Sequence, residues 1–326
     1  MRVGAFGGFP CHTAGARNGL SPTMYRFLPA PLLGALLLAG ITLSVFVHGV
    51  PIFGLAVVKF AVPNSAWRHW WTGPLVVVAE TWIRLNNLMI SALLPTRFDF
   101  RGLDDPRLRR DGRYLVTSNH QTWSDVMMLQ RILIRSIPFL RFFIKQELIY
   151  VPVLGFAWWA LDMPFMKRYS PAFLEKHPEL RGKDLETTRK SCERFRLGSI
   201  SIMNFVEGTR FEPGKRDRQG SPYRHLLKPK AGGIAAVLDA FSGDLDTLVD
   251  VTIAYGRPGA TLWDFCCGRV PRVVAEVRVE VIPEDLRRGD YAADEAYRDR
   301  LQAWVRDLWD RKDARLDALQ GEAIAA

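Results

Sequence analysis

The sequence predicts an α/β fold: a mostly parallel central sheet flanked by helices, preceded by an N-terminal helical segment inserted in a membrane. Three observations lead there. From Thr96 onward, short β-rich runs alternate with stretches of helical period, the pattern of successive βαβ units. Residues Phe27 to Val62 are nearly free of charge until Lys59, too apolar for a water-exposed surface. No long Pro/Gly/Ser linker divides the 326 residues, so one catalytic-sized unit with an appendage is expected. The expected division is 1–23, a disordered leader or a mis-called start with Met24 as the true initiator; 24–95, a membrane anchor with amphipathic helices; and 96–326, the α/β domain.

Taken in order, Phe27 to Val47 is long enough to cross or enter deeply into a bilayer. His48 and Pro51 interrupt it, and the second apolar run, Ile52 to Val62, is too short to span comfortably, which favours a hairpin or a shallow insertion. No small-residue cleavage site closes the run, so an anchor is expected rather than a removed signal peptide. "WRHWWTGPLVVVAETWIRLNNLMISALLP" carries Glu80 and Arg84 in an apolar helical pattern, an amphipathic helix whose Trp67, Trp70 and Trp71 suit a membrane interface or an ordinary core.

"RFDFRG" and "YLVTSN" read as strands, "DVMMLQRILIR" as a helix and "IPFLRFFIK" as a strand. "KDLETTRKSCERFR" reads as a helix, "SISIMNFVEGT" as a strand, "PKAGGIAAVLDAF" as a helix and "LVDVTIAYG" as a strand. In "VVAEVRVEVIP" apolar Ala275, Val277, Val279 and Val281 alternate with charged residues, predicting a half-buried strand at the sheet edge. Tyr297, Leu301, Trp304, Leu308 and Trp309 give the tail a closing amphipathic helix. Tyr150 to Met166 is apolar but holds Pro152, Asp162 and Pro164, so it suits a greasy wall or re-entrant segment rather than a span. Asp162 within it reads as a satisfied buried polar group.

A net charge of +10 calls for an anionic partner. The apolar N-terminus favours membrane or phosphate over nucleic acid, for which the charge is scattered and no binding module appears. The cysteines, Cys11, Cys192, Cys266 and Cys267, form neither a disulfide framework nor a metal-ligand spacing, so no metal is expected and the catalytic domain faces a reducing compartment.

"SNHQTWSDVMML" places His120 and Asp125 at a strand-to-helix turn, the place where α/β folds collect ligands. Within one helix the two side chains would diverge by about 140°. In the turn Asp125 can hold one imidazole nitrogen while the other takes a proton from a hydroxyl. Asp125 could equally be only a helix cap. A second stretch, "NFVEGTRF", ends a strand with Glu207, Gly208, Thr209 and Arg210. Gly208 permits a sharp turn, and Arg210 offers a planar fork for phosphate or carboxylate, although a structural salt bridge is its default reading. "LLKPKAGG", with Lys228 and Lys230 before Gly232 and Gly233, reads as an anion site at a helix N-terminus or as a solvated basic turn. Lys167 and Arg168 read as a phosphate contact or as snorkelling basic residues.

The two motifs in this order, behind an apolar anchor, resemble the glycerolipid acyltransferase family of the 1-acylglycerol-3-phosphate O-acyltransferase type. Its Asn-His-x4-Asp motif matches Asn119, His120 and Asp125; its Phe-Pro-Glu-Gly-Thr-Arg motif matches Phe205 and Glu207 to Arg210, with Val206 in place of proline. The stretch from Phe143 to Phe195, which begins "FIKQELIYVPVLGFAWW", resembles the YihG-like bacterial branch. The proline of the family's fourth motif has no counterpart in "DVTIAYG".

The resemblance implies transfer of a fatty acyl group from acyl-CoA or acyl-carrier protein to the free hydroxyl of a lysophospholipid, lysophosphatidic acid or a relative. The thioester is a donor substrate and no cofactor is implied. His120 would be the base and Asp125 its support; Arg210, with Lys145 as helper, would grip the acceptor phosphate. Glu207 would orient Arg210 or the acceptor, Gly208 would give clearance, and Thr209 completes the binding motif. The setting implied is the inner membrane, with anionic lipids as partners and the catalytic domain toward the cytoplasm. A lysophospholipase or thioesterase using the same pair on water, and a non-catalytic basic membrane-binding protein, are the alternatives. The absence of a G-x-S-x-G elbow argues against a serine hydrolase.

Overall fold

The computed structural model describes residues 28–166 and 198–325. The leader 1–23 and Met24, the helix expected over "KDLETTRKSCERFR", Lys167, Arg168, Cys11 and Cys192 lie outside the described residues.

Two long helices come first. Helix α1 (Ala30–Ala61) is continuous, contrary to the expected break at His48 and Pro51. Pro51 removes one backbone donor, but Ile52 and Ala56 beyond it are buried and carry the helix onward along the protein body. His48 stays inside the helix, its Nδ1 2.9 Å from the Ser44 carbonyl. Asn64 caps α2 (Ser65–Leu93) by accepting the Trp67 N–H at 3.0 Å. The hairpin packs through Leu33, Leu37, Ile52 and Ala56 on α1 and Leu75, Ala79 and Ile90 on α2. Its outer side stays apolar, with Leu43, Phe46, Val50, Phe53, Val77 and Leu88 exposed. Lys59, almost wholly buried, pairs with Asp162 at 2.5 Å and donates to the Ala160 carbonyl at 2.9 Å. Asp162 is thus a satisfied polar group, as its sequence context suggested.

The α/β unit contains β1 (Arg97–Arg101), β2 (Arg113–Ser118), α3 (Ser124–Leu133), β3 (Leu140–Phe142), β4 (Ile144–Lys145), α4 (Leu154–Ala160) and β5 (Phe165–Met166). Then follow β6 (Ile200–Asn204), α5 (Pro213–Gln219), α6 (Gly232–Phe241), β7 (Thr247–Tyr255), α7 (Leu262–Cys266), β8 (Arg272–Val281) and α8 (Glu295–Ile324). The six-stranded sheet has the order β1-β8-β7-β2-β6-β3, and β4 pairs with β5 in a separate two-stranded sheet. The run "IPFLRFFIK" is therefore two short strands in different sheets. All pairings in the main sheet are parallel except that of β7 with β8. The sheet is mostly parallel and flanked by helices, as the alternating sequence predicts.

One expected placement is corrected: β8 is not the edge strand, because β1 pairs alongside it from Arg97↔Arg272 to Arg101↔Glu276. The alternation has another cause. Charged residues of β8 meet α8 rather than open water, with Arg315 2.5 Å from Glu276 and Arg311 2.9 Å from Glu280.

Successive residues of a strand point to opposite faces, and the core divides accordingly. Tyr114, Val116, Val249, Val251 and Ile253 join the hydrophobic cluster that holds the α1–α2 hairpin, α3 and α4. Leu115, Ile202, Leu248 and Val274 join the cluster that holds α6 and α8, including the fully buried Trp309. The apolar hairpin and the closing helix thus lie on opposite faces of one sheet. The block Tyr150–Met166 packs on α1, with Phe156 against Phe53 at 5.1 Å between ring centroids and Trp159 on Phe60 at 4.0 Å.

Candidate active site

The two sequence motifs leave the carboxyl ends of neighbouring parallel strands, where crevices form in open α/β sheets. Thr117 of β2 is in register with Asn204 of β6. His120 lies three residues past the first and Glu207 three past the second, so the ladder erases a separation of 87 residues.

The turn after β2 is held by side chains. Asn119, fully buried, clamps β7 through its amide: Nδ2 donates to the Ile253 carbonyl and Oδ1 accepts the Ile253 N–H, both at 2.9 Å. His120 then leaves the sheet before α3 begins. Its Nδ1 is 2.9 Å from Asp125 Oδ2, and its side chain retains 14% exposure against none for Asp125. The same Oδ2 accepts the N–H groups of Gln121 at 2.6 Å and Thr122 at 2.9 Å, while Oδ1 accepts the Tyr255 hydroxyl at 2.6 Å. Asp125 therefore ties up the turn that precedes it rather than capping the helix that follows. Four donors thus fix the position of the buried carboxylate. A carboxylate at Nδ1 selects the tautomer with its proton there and leaves the Nε2 lone pair for a substrate proton. The imidazole lies flat on Phe205, with centroids 3.8 Å apart and planes 15° apart, which fixes its ring plane.

The turn after β6 closes by a bond from the Gly208 N–H to the Phe205 carbonyl at 2.9 Å, and Gly208 adopts φ +72°, a region costly for residues with a Cβ. Val206, where the family has proline, is buried, and its carbonyl accepts the Lys230 N–H at 2.9 Å. Glu207 is wholly buried. Its Oε1 accepts the His120 N–H and its Oε2 the Leu227 N–H, both at 2.9 Å, so its partners are two backbone groups rather than the Arg210 guanidinium. Burial pushes the Glu207 carboxyl up to about 8, against the pull of those two donors and with the Asp125 charge adding to the rise. Near neutral pH it is protonated, which spares the site a second buried negative charge beside Asp125.

Arg210 is half-buried, with its guanidinium over the Trp123 ring at 4.6 Å. Among the described residues no carboxylate lies within ion-pair distance of it, although its charge acts on the nearby Glu212. Thr209 Oγ1 and the Arg210 carbonyl both accept from Lys215 at 3.3 Å. Lys145 stands apart, exposed on β4 beside Met166, and no contact joins it to His120 or Arg210 among the described residues.

The structure thus brings together His120, Asp125, Glu207, Gly208, Thr209 and Arg210. To these it adds four residues with no role assigned from sequence: Tyr255 on Asp125, Phe205 under the imidazole, Trp123 under Arg210 and Lys215 behind the turn. Tyr255 ends the strand "LVDVTIAY", and that position was its only visible signal.

An imidazole backed by a buried carboxylate is an arrangement that can take a proton from a hydroxyl, and a guanidinium on the neighbouring turn is one that can meet an anion. Residues 98–256 match the family model described as Acyltransferase. The chain is similar to 1-acyl-sn-glycerol-3-phosphate acyltransferase delta of Homo sapiens, 26% identical over 180 residues, covering 52% of this chain and 43% of that protein. The gamma form of Mus musculus is 25% identical over 179 residues, again 52% of this chain and 43% of that one. The chain therefore spans less than half the length of these relatives. In fold it is similar to the crystal structure of the 1-acyl-sn-glycerophosphate (LPA) acyltransferase PlsC of Thermotoga maritima. The TM-score is 0.52 at 16% identity, over 89% of this chain and 98% of that one.

Proposed function

We propose that this protein is a membrane-bound O-acyltransferase that moves a fatty acyl group from a thioester donor, acyl-CoA or acyl-carrier protein, to the free hydroxyl of a lysophospholipid. Lysophosphatidic acid or a close relative is the acceptor, and the YihG-like branch is part of this reading. The observation that carries it is the His120–Asp125 pair at 2.9 Å, immobilised by two backbone N–H groups and the Tyr255 hydroxyl, with the imidazole partly open.

The acceptor hydroxyl gives its proton to His120 Nε2 as its oxygen attacks the thioester carbonyl. The tetrahedral oxyanion then collapses, the C–S bond breaks, and the departing thiolate takes the proton from the imidazolium. Such base assistance is typically worth about 10²–10⁴ in rate. Asp125 steadies the imidazolium, and Arg210 meets the acceptor phosphate with two parallel N–H donors. The buried Glu207 supports the reaction from behind, by holding the His120 backbone.

Helix α1 is the one helix among the described residues long and apolar enough to cross a membrane by length and composition. At 1.5 Å per residue it is about 48 Å long, yet buried positions from Leu33 to Lys59 pack it along the α/β body. A helix held in this way supports insertion of the hairpin's outer face into one leaflet, with the catalytic domain on the same, cytoplasmic, side of the inner membrane. The acyl chain would then run along the wall made by α1 and Tyr150–Met166, where each buried methylene contributes about 0.8 kcal/mol.

The test is acyl transfer from labelled acyl-CoA to lysophosphatidic acid and other lysophospholipids in purified membranes, wild type beside His120→Ala. A labelled phospholipid that disappears in the variant supports the proposal. Label found only as free fatty acid points to a hydrolase, and turnover unaffected by the substitution overturns the reading.

A further inference from the structure

A second site lies on the other face of the sheet. A cavity of about 440 Å³ is lined by Lys228, Lys230, Arg306, Tyr223, Tyr291 and Gly232, together with a few neighbours. Its volume falls in the range of small-molecule pockets, and no carboxylate is in the lining. Nearby cations are neutralised: on α8, Arg311 pairs with Glu280, and Arg315 with Glu276. Lys228, Lys230 and Arg306 have no ion pair among the described residues, and Lys228 and Lys230 enter hydrogen bonds only through their backbone N–H groups. Asp310, bonded to the Tyr223 hydroxyl, and Asp313 lie behind the lining; the three cations of the lining outnumber these two carboxylates and leave a positive potential in the cavity, which an anion relieves. Gly232 opens the ten-residue α6, whose first-turn N–H groups have no partner within the helix and add to that potential. Tyr291, half-buried in the lining, offers a ring to a planar base, while Tyr223 is buried behind it.

The cavity is joined to the candidate active site. The Leu227 N–H binds Glu207 and the Lys230 N–H binds Val206, both at 2.9 Å, so the segment bearing the two lysines is fastened to the turn that carries Arg210. The side chain of Lys230 lies over Gly208, its Nζ 3.4 Å from where a Cβ would stand. Tyr223 and Ala231 belong to the cluster of α6 and α8, on the opposite face of the sheet from the apolar hairpin.

We infer that this cavity binds the phosphorylated nucleotide end of the acyl donor, a coenzyme A thioester, with the phosphates on Lys228, Lys230 and Arg306 and the base against Tyr291. The inference rests on the acyl-transfer reading above and names the donor's carrier. The geometry explains how one substrate serves two solvents: the nucleotide enters from the aqueous face, the acyl tail lies along the α1 wall, and the thioester passes over the carboxyl ends of β2 and β6 at His120. A lipid headgroup would have to reach the face that is turned away from the hairpin.

The test uses the full chain in nanodiscs, wild type and Lys228→Ala/Arg306→Ala. Binding of adenosine 3′,5′-bisphosphate, measured by calorimetry, needs no turnover and so reports on the cavity even if acyl transfer fails. The double variant is expected to weaken it at least tenfold, as the loss of charge-assisted contacts does. In kinetics, KM for acyl-CoA is expected to rise by a similar factor, while KM for the lysophospholipid and for an acyl-pantetheine donor lacking the nucleotide stays put. Wild type that does not bind the bisphosphate overturns the inference. So does a variant that binds it equally well, a KM change confined to the lysophospholipid, or preference of the wild type for acyl-carrier protein over acyl-CoA. A variant equally impaired with acyl-pantetheine also overturns it, because the damage is then not to a nucleotide site. Lys228→Arg, which keeps the charge, is expected to retain binding.

Discussion

Glu207→Gln offers a test in which both sign and size come from the structure. The wild-type carboxyl is fully buried, accepts two backbone N–H groups, and is pushed up to about 8 from an ordinary 4.5. Because the folded protein holds this proton more tightly than the unfolded chain, the stabilisation is present in full below pH 4.5 and is lost as pH rises through 8. At 1.36 kcal/mol per pH unit the interval sets a ceiling of about 5 kcal/mol. Glutamine does not titrate, and its NH₂ meets one of the two backbone N–H groups as donor against donor, leaving a buried group unsatisfied at about 2 kcal/mol. At pH 5 the variant should therefore melt about 4–8 °C below wild type. By pH 9 the difference should vanish or reverse, because only wild type has had to ionise a buried carboxyl. Thermal unfolding of both proteins in one detergent from pH 5 to 9 reads this directly, and other titrating groups cancel in the difference. A melting difference that is constant across the range would refute the argument, since Glu207 would then be ionised throughout or hydrated.

Arg210→Ala should raise KM for the lysophospholipid at least tenfold with a smaller change in kcat, because a phosphate contact of about 1.5–3 kcal/mol is lost; an unchanged acceptor dependence removes Arg210 from that role. Tyr255→Phe deletes one of the four donors to Asp125, and we expect about 2 kcal/mol less stability and a fall in kcat at near-constant KM, read by melting and steady-state kinetics. Lys312, wholly buried in α8, pairs with Asp250 at 2.6 Å, and Asp250 accepts the Thr117 hydroxyl at 2.6 Å. Lys312→Met strands that carboxylate beneath β2 and should cost about 3–5 kcal/mol, most of it restored by adding Asp250→Asn; denaturant unfolding of the single and double variants separates the pair from simple loss of packing.

Much of the architecture could be read from the chain because its causes are local. Strands β2, β6 and β7 are short runs of buried, β-branched or aromatic residues between helical stretches, and periodicity and composition depend only on near neighbours. His120 and Asp125 stand five positions apart at a strand-to-helix junction, so one turn suffices to join them. Where a local signal has a distant cause the reading goes astray. The alternating charges of β8 suggest an edge strand, yet they meet arginines on α8 from some 35 residues later. Pro51 suggests a break that packing of Ile52 and Ala56 overrides.

By itself the sequence determined which side chains are the candidates for the chemistry, since an imidazole, a carboxylate and a guanidinium in this order are properties of residue types along the chain. Only the tertiary structure decided how they are held. The register of β2 with β6 brings Glu207 under the His120 backbone, the end of β7 delivers Tyr255 to Asp125, and the two faces of the sheet separate a basic cavity from an apolar hairpin. Those relations arise from long-range strand pairing, which is set by burial of the whole sheet and leaves no mark within any single stretch of residues.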